Sequence, residues 1–126
     1  MEILCHVAEF VPYWTSQMLQ VVQCPGDPWG RTHTDTARLD AVARAGARSL
    51  SDVVEEIRHA ARASVSAIRH LRDADLDVEA VSRNPRWGHK PASFIIDDLL
   101  IHHVEKHLGQ IRRNLTQFHE RGETAR

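Results

Sequence analysis

The sequence predicts an all-α helical bundle, and three observations carry that reading. Apolar residues recur in steps of three and four through most of the chain. No segment sustains the alternation of a strand. The stretches between the periodic segments are dense in Pro, Gly and Asp. With 126 residues, 42% of them hydrophobic, the chain has the length and composition of a single domain spanning 1–126.

The elements follow in order. From Met1 to about Gln23, Ile3, Val7, Phe10, Trp14, Met18 and Val21 share one helical face. Pro12 sits inside this helix and removes one backbone donor, so a kink or a loosened turn is expected there. Cys24-Pro25-Gly26-Asp27-Pro28-Trp29-Gly30 reads as a loop. Thr34 or Asp35 can cap a short helix running to about Ala45, ended by Gly46. Leu50 to Leu71 is a cleaner amphipathic helix with Ser49 or Ser51 as cap. Its inner stripe is Leu50, Val53, Val54, Ile57, Ala61, Ser64, Ile68 and Leu71. Asp73 to Pro91 reads as a connection. Ser93 opens the last helix, with Asp97 and Asp98 in its first turns, where the helix dipole favours acid. It runs to about Glu120, and Gly122 ends it.

Charge and cysteine usage exclude several function classes. Sixteen Lys+Arg against seventeen Asp+Glu leave a net charge of −1, without the basic excess of a nucleic-acid or membrane-surface binder. Cys5 and Cys24 form neither a disulfide framework nor a Cys-x-x-Cys pair. The first ten residues lack the basic segment of a signal peptide, and no run of ~20 apolar residues exists to span a membrane. Neither nucleic acid nor membrane is expected as a partner, and a reducing cytoplasmic setting is.

The chemistry must be sought among nine histidines. Placed at about 100° per residue, His103 and His107 fall within the apolar arc of the last helix, formed by Ile96, Leu99, Leu100, Val104, Leu108, Ile111, Leu115 and Phe118. His102 points the other way, with Asp98, Lys106 and Arg113. Two imidazoles four residues apart are neighbours on one face and can reach a single metal ion. The same spacing also suits two hydrogen-bonded core histidines, and spacing alone leaves both readings open. Glu105 points away from the pair and is a poor general base for it. His6, at the margin of the first helix's apolar face, gains weight only if that helix packs on the last. His59 and His70 project from a polar face, and His119 is near a helix end. His33 and His89 are loop residues near Trp and Arg.

The segments Glu2-Ile3-Leu4-Cys5-His6-Val7-Ala8-Glu9 and His103-Val104-Glu105-Lys106-His107-Leu108-Gly109-Gln110-Ile111, with Arg86-Trp87-Gly88-His89 ahead of the last helix, resemble the DinB-like superfamily. These are metal-binding, up-down-down-up four-helix bundles, a group that takes in mycothiol-dependent maleylpyruvate isomerases and bacillithiol transferases. The resemblance covers nearly the whole chain. It implies a metal held by His6, His103 and His107, since three imidazoles with an open position are a catalytic zinc arrangement. Zn is the favoured divalent transition metal, with Ni next. The resemblance further implies a low-molecular-weight thiol as cosubstrate, hence S-transfer or isomerisation.

In that family the first ligand lies on the second helix, whereas here it is residue 6. A bundle shortened by its N-terminal helix is therefore expected, exposing an apolar groove and favouring a homodimer. Gln110 and Asn114, near the histidine face, are candidates to bond a ligand or an imidazole. Arg31 and Arg86 are candidates to hold an anionic group of a small-molecule ligand. The competing expectation is a non-catalytic bundle that binds a small molecule or a protein.

Overall fold

The computed structural model describes residues 1–124; the last two residues of the expected 1–126 domain lie outside the described residues. The fold is all-α in its body, as expected. Helix α1 (Glu2–Gln23) is followed by a short α2 (Thr36–Ala43), a 3-10 turn (Ala45–Ala47) and α3 (Leu50–Arg69). A one-turn α4 (Asp73–Leu76) leads into two strands, β1 (Glu79–Val81) and β2 (His89–Pro91). The chain ends in a continuous helical rod made of α5 (Ala92–Phe94), a π-helical segment (Ile95–Ile101) and α6 (His102–Thr124).

Helix α1 is the central element. It packs on α2 and α3 on one side and on α5 and the π segment on the other. That explains why its buried residues spread well beyond a single stripe: Cys5 and Ala8 pack with Ala45 and Val53, while Phe10, Trp14, Met18 and Val21 belong to the main core. Pro12 is exposed and the helix runs through it.

Both expected caps form. Asp35 accepts from the Arg38 backbone N–H, and Ser49 accepts from that of Asp52. The α3 stripe differs in detail: Leu50 and Ala61 are exposed, and Ala60 is buried in Ala61's place. Leu50 lies at the helix start, beyond the reach of α1's packing. Ser64 is buried as expected, because its hydroxyl meets that of Thr15 on α1 at 2.6 Å.

Three further expectations are corrected. Asp73 to Pro91 is no plain connection: β1 and β2 pair antiparallel, with Ala80 opposite Lys90. Strands of three residues are too short to show a period, so pairing rather than pattern creates them. The Pro- and Gly-rich loop is irregular but not peripheral. Trp29 bridges in parallel to Ser82, is fully buried, and donates its indole N–H to the Ala80 carbonyl at 2.9 Å. Gly30 follows with φ 83°, a conformation that glycine adopts without strain. Finally, Gly122 does not end the last helix, which continues to Thr124. A glycine costs about 1 kcal/mol in a helix, too little to force a stop.

The far half of the rod leaves apolar residues uncovered. Leu108 and Leu115 are exposed and Phe118 is 72% exposed, so the expected arc is buried only near its start.

Trp29 ties the loop to the sheet and to Trp87, with which it stacks at 5.9 Å. Trp29→Ala is expected to lower stability by about 3–5 kcal/mol, the usual cost of emptying a buried aromatic site. Denaturant unfolding checks this, and a loss under 1 kcal/mol would show that the loop is an appendage.

Candidate metal centre

His6 lies on α1, one turn before Phe10; His103 and His107 lie one turn apart on α6. Packing α1 against the rod brings these four rings together. His6 has its ring centroid 5.4 Å from His103 and 4.9 Å from His107, and His103 is 4.7 Å from His107. Phe10, fully buried, stacks flat on His103 at 4.1 Å and 8° and meets His6 edge-on at 4.9 Å. Phe10 thereby fixes the plane of His103, a role that its place in the apolar period does not reveal.

One nitrogen atom from each histidine lies within 4.8 Å of the other two. His6 Nδ1, His103 Nδ1 and His107 Nε2 are all buried and have no hydrogen-bond partner among the described residues. Buried polar atoms are nearly always paired, so three neighbouring imidazoles, each with an unpartnered nitrogen, call for a common partner. The donor set suits a divalent transition metal such as Zn or Ni. His107 is already oriented for that task. Its Nδ1 lies 2.6 Å from Gln110 Oε1. An amide oxygen only accepts, so Nδ1 carries the proton and Nε2 presents a lone pair.

The local electrostatics keep the rings neutral. Burial first, then the neighbouring His107 and His103, push His6 down to about 4. Burial and His107 push His103 down to about 4 as well, against the opposing effect of the Leu99 carbonyl. His107 is lowered chiefly by burial, with Gln110 opposing. Neutral imidazole is the form that binds metal.

The π-helical segment sits immediately before this site. The His102 N–H bonds the Asp97 carbonyl, five residues back. Such wide turns often occur at functional sites, and nothing in the 3.6-residue period announces this one. His102 itself is exposed and meets Asp98 at 3.1 Å.

A groove of about 900 Å³ adjoins the cluster, with His6, His103, Trp14, Trp87, Phe94 and Leu99 among its walls. Arg31 and Arg86 also line it. The Arg31 guanidinium is buried, 2.5 Å from both oxygens of Glu9 and 3.2 Å from Asp35, and lies over the Tyr13 ring. Arg86 is exposed. Asn114 is exposed one turn beyond Gln110. His33 lines the groove, while His59, His70, His89 and His119 are exposed, His89 in β2 rather than in a loop. Cys5 is buried among Ala8, Ala45 and Val53, away from the imidazoles.

The description of one protein family, the DinB superfamily, matches residues 1–111, a span that contains all three histidines. No significant match was found among curated proteins or among solved structures. No helix among the described residues is long and apolar enough to cross a membrane.

The depressed histidines set a pH dependence for the metal-free protein. Between the ordinary value of 6.5 and about 4, the unfolded chain takes up protons that the folded cluster refuses. Stability is therefore intact above pH 6.5 and is lost as pH falls towards 4. The melting temperature, followed across that window in the presence of a chelator, is expected to drop more steeply in the parent than in His103→Asn. Parallel curves would contradict the assignment.

Proposed function

The chain belongs to the DinB superfamily, and on that footing we propose that it is a divalent-metal-binding protein acting as a metal-dependent transferase or isomerase of low-molecular-weight thiols. The observation that carries the reading is the convergence of three imidazoles, each with a buried, unpartnered nitrogen, beside an open groove. A non-catalytic bundle has less reason to keep such nitrogens unsatisfied next to space for a small molecule.

In this reading His6, His103 and His107 hold the ion through one ring nitrogen each, His107 through Nε2, with Zn favoured and Ni next. The ion would supply Lewis acidity, lowering the pKa of a thiol or water brought to it. The chain's own contribution is positioning. Gln110 holds the His107 tautomer, Phe10 holds the His103 plane, and Trp14 and Leu99 keep the groove wall apolar. Free Cys5 and Cys24 agree with a reducing, cytoplasmic setting.

Metal analysis and calorimetric titration with Zn and Ni test this. Tight binding is expected in the parent protein and in His102→Ala, and its loss in His6→Ala, His103→Ala or His107→Ala. Gln110→Ala is expected to weaken affinity about 10–100-fold, as removing an imidazole's supporting partner does. A parent that binds no metal, or an equal loss in His102→Ala, would overturn the reading.

We further propose that the protein is a homodimer. Ile101, Val104, Leu108, Ile111, Leu115 and Phe118 alternate in steps of three and four along the rod, the spacing of a coiled-coil seam. Four of them, Ile101, Leu108, Leu115 and Phe118, are exposed large hydrophobics. Antiparallel pairing with a second copy brings Glu105 of one copy towards Arg112 of the other, which complements charge beside the seam. Sedimentation is expected to give a dimer, and Leu108→Glu with Leu115→Glu a monomer that still binds metal. A monomeric parent would refute the pairing.

A further inference from the structure

The groove beside the imidazoles is more basic than the chain that builds it. The whole protein has a net charge of −1, yet Arg31, Arg38, Arg86 and Lys106 all line this one cavity. Asp98 is its sole acidic wall residue among the described residues, and Asp98 already meets His102.

These cations are not equivalent. Arg31 is neutralised by Glu9 and Asp35 and serves as part of the wall. Arg38 donates to the His33 carbonyl at 2.9 Å, a contact that leaves its positive charge uncompensated. The side chains of Arg86 and Lys106 make no ion pair or hydrogen bond among the described residues; only the Arg86 backbone N–H is engaged, by Asn84. Against the single carboxylate of Asp98, the three cations Arg38, Arg86 and Lys106 leave the groove net positive. Its apolar walls, Trp14, Trp87, Phe94 and Leu99, concentrate that field.

From this we infer that the groove selects a small organic anion, its carboxylate or phosphate oxygens held by Arg38, Arg86 and Lys106. The apolar remainder of the ligand lies against Trp87 and Phe94, towards His6 and His103. A guanidinium fork matches either oxyanion, and Lys adds a movable point charge. A volume of about 900 Å³ admits a small molecule. The inference rests on the proposed function for the role of the imidazoles, and names the substrate class for the same site.

The test separates the two. Chelator-treated protein is titrated calorimetrically with succinate, glycerol 3-phosphate and uncharged succinamide, at low and high salt. At least one anion is expected to bind about tenfold more tightly than succinamide, more weakly as salt rises. The preferred anion identifies the headgroup. Arg86→Gln with Lys106→Gln is expected to erase about tenfold of that affinity, Arg38→Gln alone to reduce it, and His59→Gln to leave it unchanged. Melting curves confirm that each variant is folded. Equal binding of the anions and succinamide, or an unchanged double variant, would overturn the inference while leaving metal binding intact. Loss of metal binding with anion selectivity retained would overturn only the proposed function.

Discussion

A buried polar atom left without a hydrogen-bond partner costs roughly 1–3 kcal/mol, and this protein carries one on each of three histidines whose ring nitrogens approach within 4.8 Å. They are held in place by the packing of α1 against the last helical rod. Phe10 supplies the apolar plate between the two, stacked on one imidazole and edge-on to another. The same burial that makes the cluster costly keeps the rings neutral and ready to donate lone pairs. Binding an ion would offset much of that cost, so ligand and fold are linked: whatever binds the folded cluster alone stabilises the fold.

The remaining structure supports this contact from the other side. α3 closes on α1 through Val53, Ala60 and the Thr15–Ser64 hydroxyl pair. Trp29, Trp87 and Trp14 form an aromatic block at the groove, and the Glu9–Arg31 pair joins α1 to the loop that follows it. A buried ion pair adds modest net stability but penalises any arrangement that separates it. Here it holds the loop's direction, and with it one wall of the groove.

Much of this was legible in the sequence. Regular spacing marked α1 and α3, and Asp35 and Ser49 marked the starts of α2 and α3 through side-chain chemistry that acts locally. His103 and His107 could be separated from His102 because four residues make about one turn. His6 could not be placed by its own helix, since its value depends on a partner a hundred residues away; the family likeness supplied that link. The sheet, the burial of Trp29 and the orienting role of Phe10 are products of tertiary packing, which leaves no period to read. Leu50 and Ala61 show the converse. A stripe drawn on an ideal helix assumes that the neighbouring helix covers its full length and width, and α1 does not.

The wide turn at Ile95–Ile101 has one more consequence. A π turn accommodates an extra residue within an otherwise ordinary helix. Because the wide turn absorbs that residue, losing one residue and returning to α geometry together would leave His103 and His107 in phase with His6. Narrowing the turn at unchanged length would instead swing everything downstream by about 100° about the helix axis and carry both histidines away from His6 without either being changed. The width of this turn is therefore as much a determinant of the imidazole cluster as the histidines themselves, and segment length and turn width can change only together if the cluster is to be kept.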